Sequence, residues 1–149
     1  MARDEPDRLY IRRKDRETYA IILDRGSPLA GAEAKVVFLM AMLTGFMEGK
    51  ELELGSQREG YFRTEYLTDA EKSVIKAIAV QREGGLEVLA DKKKVYAIAE
   101  GYAAGGLESL KNRILGEHGS YEKELELLLT TSLERNGIGG RSQPSADTM

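Results

Sequence analysis

Few residues in the sequence are of the types that catalyse reactions or bind metals. The one histidine, His118, lies in the short loop Gly116-Glu117-His118-Gly119, without the spaced ligands that a structural or catalytic metal site requires. There is no cysteine, and no Gly-x-Ser-x-Gly element that would present a nucleophilic serine. We therefore predict no catalytic residue, no bound metal and no cofactor.

Carboxylates could perform acid–base chemistry or hold magnesium without a histidine. The candidates are Asp69, Glu71, Glu100 and Glu117. In a chain with this many charges, carboxylates more often cap helices or lie on solvated helix faces. A carboxylate-dependent metal nuclease therefore stands third among the hypotheses for the function.

Two groups of basic residues could contact nucleic-acid phosphates. The first is an N-terminal arm that surrounds Tyr10 and consists of Arg8, Arg12, Arg13, Lys14 and Arg16. The second is Lys92, Lys93 and Lys94, in the first turn of a predicted helix. Because the helix dipole disfavours cations at that end, these lysines favour an anionic partner. The alternative for both groups is an ordinary solvated surface.

A third basic group accompanies aromatic residues. Arg58 and Arg63 flank Tyr61 and Phe62, which could stack on bases while the arginines contact phosphates. Alternatively, Arg63 could pair with a buried carboxylate such as Glu100.

The pattern of apolar residues predicts a mainly α-helical protein. We expect one domain at residues 10–135, with a flexible tail at 1–9 and a disordered tail at 136–149. Its fold would be a compact bundle of five to six helices around Glu33–Glu48, which is apolar on all sides and belongs in a core or a dimer interface. Met40, Met42 and Met47 on that helix favour a homodimer.

Two segments before the second half of the chain are ambiguous. Residues Lys14 to Leu23 fit a helix, although Tyr19 to Leu23 also has the composition of a strand. Residues 51–67 fit either a small two-stranded β ribbon or a loop.

Local signals place the later helices. Thr68 and Glu71 have the spacing of a capping box, and Asp91 can cap the next helix. Gly105 and Gly106 would either end that helix, with a separate helix after them, or serve as sites of close packing. A last helix, capped by Ser120, would turn acidic residues toward water or a basic partner.

The bulk composition limits location and partners. The 22 basic and 25 acidic residues give a net charge of −3, so contact with nucleic acid or anionic lipid must be local. Met1 to Asp7 has no apolar core of a secretory signal, and no apolar run approaches the ~20 residues that cross a bilayer. We expect a cytoplasmic protein that does not engage a membrane.

Several segments together resemble a known family. They are Tyr10-Ile-Arg-Arg-Lys-Asp, Val37-Phe-Leu-Met-Ala-Met-Leu-Thr-Gly-Phe, Glu59-Gly-Tyr-Phe-Arg-Thr-Glu-Tyr-Leu, Leu86-Glu-Val-Leu and Tyr96-Ala-Ile-Ala-Glu-Gly-Tyr-Ala-Ala-Gly-Gly. The chain is similar, from Tyr10 to about Leu133, to small prokaryotic accessory proteins associated with DNA phosphorothioation (Dnd) modification and restriction systems. The resemblance implies a helical accessory protein that acts near DNA or a DNA-modifying complex, and it transfers no catalytic residue.

Three functions follow as hypotheses. The first is a non-enzymatic, DNA-associated accessory or regulatory protein that contacts phosphates through the basic arm and Lys92–Lys94. The second is an adaptor that holds a larger DNA-modifying enzyme through an apolar groove and the acidic last helix, without contacting DNA. The third is the metal nuclease.

Overall fold

A computed structural model describes residues 5–116. This part of the chain contains two strands and four α-helices: β1 (Arg8–Arg12), α1 (Arg16–Ile22), α2 (Ala34–Glu48), β2 (Arg58–Arg63), α3 (Asp69–Glu83) and α4 (Lys92–Leu115). The predicted mainly α class with a small two-stranded sheet is confirmed. The predicted count of five to six helices is not matched within residues 5–116, and the helix expected after Ser120 lies outside them.

The helix count differs because α4 is one helix where the sequence suggested two. Gly105 and Gly106 do not end it, and it continues to Leu115. A Cβ atom on Gly105 would come closer than 3.0 Å to the carbonyl oxygen of Lys50, and one on Gly106 would overlap the carbonyl oxygen of Ala41. The glycines therefore allow close backbone packing, which was the alternative to helix termination.

The core is built where α2 crosses α4. Val37, Phe38 and Met42 of α2 have no exposed surface, and Tyr19 of α1 is 1% exposed. However, α2 is not buried on every side, because Met47 at its end remains 63% exposed. Of the two predicted environments for α2, a core and a dimer interface, the fold provides the core on one side of the helix.

Helix α1 resolves the ambiguity of the first segment in favour of a helix. Tyr19 and Ile22 point into the core, as three-residue spacing on one helix face requires. A single 3-10 turn, Arg13–Asp15, joins α1 to β1.

The β ribbon lies elsewhere than predicted. Strand β2 falls within residues 51–67, but its antiparallel partner is β1 rather than a neighbouring segment. The segment after α2 runs along α4 instead, where the backbone N–H of Leu52 donates to the carbonyl oxygen of Gly101 at 3.0 Å. Gly101 has no side chain, and this leaves room for Glu51, whose Cγ would lie 2.9 Å from an added Cβ atom.

The ends of α3 follow the local signals. The hydroxyl of Thr68 accepts the backbone N–H of Glu71 at 3.1 Å, and the carboxylate of Glu71 accepts the N–H of Thr68 at 2.8 Å. The predicted capping box is therefore present. Gly84 ends the helix with a φ of 81°, a conformation that glycine adopts without strain.

The substitution Thr68→Ala is expected to lower the free energy of unfolding by about 1 kcal/mol, because the N–H of Glu71 loses its acceptor. Urea unfolding followed by circular dichroism measures this change. The control Ser73→Ala, at an exposed position of the same helix, should be neutral or slightly stabilising. Equal destabilisation by both substitutions would contradict a capping role for Thr68.

Within residues 5–116, no helix is long and apolar enough to span a membrane.

Candidate nucleic-acid interface

The sheet brings the arm and the Arg58/Arg63 group together. Arg8 pairs with Arg63 across the strands, and Arg12 pairs with Arg58. Cross-strand partners share a face, and alternate residues along a strand return to that face. Both arginine pairs therefore lie on one side of the sheet, with Tyr10 between them. We call Arg8, Tyr10, Arg12, Arg58 and Arg63 the basic sheet face.

The opposite side of the sheet fixes this orientation. Leu9 and Ile11 are 0% and 3% exposed, and Leu9 pairs with Phe62. The ring of Phe62 packs edge-on against Phe38 of α2, with 5.3 Å between ring centroids. Since a shift of one residue would bury the arginines and expose this apolar set, the packing holds the basic sheet face outward.

A β-bulge lets both arginine pairs face the same way. The register shifts between Leu9 and Tyr10, where β2 contributes the extra residue Tyr61. The side chain of Arg8 then crosses over Gly60, and a Cβ atom there would lie 2.6 Å from Arg8 Cδ. Gly60 thus leaves the room that Arg8 occupies.

Carboxylates neutralise part of the arm. Arg12 donates two hydrogen bonds, of 2.8 and 3.0 Å, to Asp15, which is 6% exposed. Arg13 lies 3.8 Å from Glu59, and Arg16 donates to the same carboxylate. The charge available to a phosphate from these three residues is reduced accordingly.

The other cations of these groups are more accessible. Arg58 lies over the ring of Tyr10, with 4.7 Å from its guanidinium carbon to the ring centroid. Arg63 lies 3.4 Å from Glu65, and both side chains are about half exposed or more. Among residues 5–116, neither Arg8 nor Arg58 forms an ion pair with a carboxylate, and Lys14 is likewise exposed on the turn after β1.

The three lysines at the start of α4 do not act as one cluster. Lys92 lines a cleft with Lys72 and Lys76 of α3, whereas Lys94 pairs at 3.0 Å with Glu83, the last residue of α3. Lys93 is exposed. Asp91 accepts the backbone N–H of Lys94 at 3.2 Å, so its predicted capping role is confirmed.

Sequence reasoning missed the residues that join Lys92 in this cleft. They are Lys72 and Lys76 of α3, Tyr96 of α4 and Glu5 from the N-terminal segment. The i, i+4 spacing of Lys72 and Lys76 places them on one helix face and was a readable signal. No local pattern links them to Glu5, which is 67 residues or more away in sequence.

Glu100 lies behind the sheet rather than in an ion pair with Arg63. Its carboxylate accepts the backbone N–H of Tyr10 at 2.9 Å and is 6% exposed. Burial raises the pKa of Glu100 to about 7, although the Tyr10 N–H and the charge of Arg58 oppose the change. The carboxyl group therefore binds the edge of β1 and titrates near neutral pH.

Two of the carboxylates considered for a nuclease, Glu71 and Glu100, are held by different parts of the fold. Glu71 caps α3 and accepts from Lys35 at 2.9 Å, while Glu100 contacts β1. In the described part of the chain, no three side chains of histidine, cysteine, aspartate or glutamate are grouped to hold a metal ion. Glu117 and His118 lie outside that part.

The fold and this surface define a class of protein: a small, mainly helical protein with a two-stranded sheet that presents paired arginines. Comparison by sequence then identifies the family. Residues 31–143, well over half of the chain, match the family described as DNA sulphur modification system-associated protein 4, and the chain belongs to that family. The resemblance to Dnd-associated accessory proteins is thus confirmed, and it links the protein to a DNA sulphur modification system. No curated protein and no solved structure matches the chain.

Proposed function

We propose that this chain is a non-enzymatic accessory protein of a DNA sulphur modification system, and that it contacts DNA phosphates through the basic sheet face. The observation that carries the proposal is the pairing of like charges, Arg8 with Arg63 and Arg12 with Arg58. Like charges directly opposite each other in an antiparallel pair are destabilising, by up to about 1 kcal/mol each. Asp15 and Glu65 offset the charge of one arginine in each pair. An anion that lies across the face would offset the charge of the other arginine in each pair.

The dimensions of the face suit a nucleic-acid backbone. Arg8 and Arg12 are four residues apart on β1, which corresponds to about 13 Å along a strand. A DNA strand rises about 3.4 Å per nucleotide along the helix axis, so the length of the face equals the axial rise of roughly four nucleotides. Tyr10 lies between the two arginine pairs on β1, and the guanidinium group of Arg58 packs over its aromatic ring. Such a surface reads the backbone and not the base sequence.

The double substitution Arg8→Ala/Arg58→Ala is expected to weaken binding to duplex DNA about tenfold, because it removes the two arginines of the basic sheet face that have no acidic partner in residues 5–116. Fluorescence anisotropy of a labelled duplex at low salt measures the change.

The matched control is Lys111→Ala/Arg113→Ala, which removes the same charge from the far end of α4. Arg113 is 13 residues beyond Glu100, the α4 residue that contacts β1, or about 20 Å along the helix. The control should bind DNA as the natural protein does. Equal weakening in both variants would mean that net charge and not the basic sheet face determines affinity, and would contradict the proposal.

A second candidate function is an adaptor for an enzyme of the same modification system. Leu43 and Met47, one turn apart on α2, are 39% and 63% exposed, although Ala41 and Met42 on the same helix are fully buried. Large exposed apolar side chains at one site are typical of protein interfaces. Met42 is fully buried, so an interface on α2, including one between two copies of the chain, would use Met47 and not Met42.

The substitution Met47→Glu separates the two functions. It should abolish a salt-insensitive complex with purified enzymes of the system while leaving DNA affinity unchanged. An intact complex with Met47→Glu would exclude this helix end as the adaptor surface.

A further inference from the structure

A cleft between α3 and α4 collects positive charge at a separate place from the basic sheet face. Lys72 and Lys76 line it from α3, and Lys92 and Tyr96 line it from α4. Asp69 is the acidic residue that α3 contributes. The cavity measures about 190 Å³, several times the roughly 30 Å³ that a water molecule occupies in the liquid. We call it the lysine cleft.

The chain places its own anion in the lysine cleft. The carboxylate of Glu5 lies 3.3 Å from the ammonium group of Lys72 and accepts a hydrogen bond from the hydroxyl of Tyr96. Burial by itself would raise the pKa of Glu5, but the bonds from Tyr96 and Lys72 and the charge of Lys92 lower it below its ordinary value. The cleft therefore stabilises a negative charge despite the cost of desolvation.

The charge of Glu5 does not neutralise the lysine cleft. Three ammonium groups face two carboxylates, those of Glu5 and Asp69, so one positive charge is in excess. A phosphate carries about −1.5 to −2 charges and three strong acceptor oxygens, whereas a carboxylate has one charge and two oxygens. A phosphate could bind Lys72, Lys92 and the Tyr96 hydroxyl at the same time, whereas, of these three groups, Glu5 contacts only Lys72 and Tyr96.

We propose that the lysine cleft binds a phosphate group, and that Glu5 is an internal substitute which the phosphate displaces. The displacement reaches the sheet, because the segment that carries Glu5 continues into β1. The carbonyl oxygen of Pro6 accepts from the Thr64 hydroxyl at 2.8 Å, and that of Asp7 accepts from the Thr64 N–H at 3.1 Å. Phosphate in the cleft thus loosens the segment just before Arg8.

The test is a titration of the full chain, ¹⁵N-labelled, with inorganic phosphate at constant ionic strength maintained with chloride. The amide signals of Lys72 and Lys92 should shift and saturate. Glu5→Gln, which keeps the shape of the side chain and removes its charge, should bind phosphate about fivefold more tightly, since no carboxylate competes. Lys72→Gln/Lys92→Gln should lose saturable binding, and Lys72→Arg/Lys92→Arg should retain it.

Equal phosphate affinity in Glu5→Gln and the natural protein, or shifts that chloride alone reproduces, would overturn the proposal. This comparison decides the matter even if the double lysine variant fails to fold. The inference does not rest on the proposed function, because the titration contains no DNA and leaves Arg8 and Arg58 in place.

The source of the phosphate is distinguished by competition. An oligonucleotide with a 5′-phosphate that displaces inorganic phosphate better than the same strand with a 5′-hydroxyl supports a terminal phosphate as the ligand. Equal displacement by both strands supports a phosphodiester group of the DNA backbone as the ligand. Displacement by neither supports free phosphate.

Discussion

A single methyl group added by Gly106→Ala is expected to lower the free energy of unfolding by about 3 kcal/mol, the upper end of overpacking costs. The Cβ atom would overlap the carbonyl oxygen of Ala41 and the amide nitrogen of Gly45, both in the backbone of α2. Neither atom can rotate away as a side chain would, so α2 and α4 must separate. The separation would loosen the packing of Met42 and its buried neighbours.

Urea unfolding gives the free-energy difference directly. Gly26→Ala is the matched control, because a Cβ atom at Gly26 meets nothing within 4 Å. It should leave stability within about 0.5 kcal/mol of the natural protein. If Gly106→Ala unfolds at the same urea concentration as the natural protein, the close crossing of α2 and α4 is wrong. A slight gain in stability would point the same way, because alanine is the better helix former.

Glu100→Gln is expected to remove the part of the pH dependence of stability that comes from Glu100. In the unfolded chain the Glu100 carboxyl loses its proton near its ordinary pKa of 4.5, whereas burial holds the folded pKa at about 7. Between these values the folded protein binds more protons than the unfolded one, so Glu100 makes stability fall as pH rises. Across the interval between the two pKa values, this loss of stability amounts to about 3 kcal/mol, at about 1.4 kcal/mol for each pH unit.

Glutamine retains an oxygen that can accept the N–H of Tyr10, but it does not titrate. At pH 5 the variant and the natural protein should therefore be similarly stable. At pH 8 the variant should be more stable, by an amount on the order of 2 to 3 kcal/mol. Urea unfolding at pH 5, 6, 7 and 8 measures the difference, and taking that difference cancels the titration of other groups.

Glu108→Gln is the control for this series, because that side chain lies on the same helix but is 65% exposed. It should remain within about 0.5 kcal/mol of the natural protein throughout the series, because an exposed ion pair such as that with Lys111 contributes little to stability. A Glu100→Gln variant whose relative stability is also constant from pH 5 to 8 would show that Glu100 is already ionised in the folded protein at pH 5.

The parts of the fold that were predictable depend on contacts between near neighbours. The capping box of Thr68 and Glu71 involves residues three apart, and the apolar composition of α2 alone is enough to predict that helix. The length of α4 was not predictable, because Gly105 and Gly106 have the same appearance at a helix end and at a close crossing. Only the position of Ala41 and Lys50 against them decides between the two.

The sequence indicates which arginines belong to the basic sheet face, but it does not indicate how they are arranged in space. The cationic arm and the Arg58/Arg63 group were visible as separate clusters. Their pairing joins residues about 50 positions apart, and neither strand carries a local signal for its partner. Glu5 and Lys72 are 67 residues apart in the sequence, and no local pattern links them. The lysine cleft could therefore be identified only from the fold.

The most direct test of the proposed function is the salt dependence of duplex-DNA affinity for the natural protein and for Arg8→Ala/Arg58→Ala. Each phosphate contact contributes about 0.9 to the slope of log affinity against log salt concentration. Binding through the basic sheet face predicts that affinity falls steeply with salt, with a slope smaller by about 2 in the variant. An equal slope in both proteins, or no binding to DNA at low salt, would contradict the basic sheet face as a DNA-binding surface.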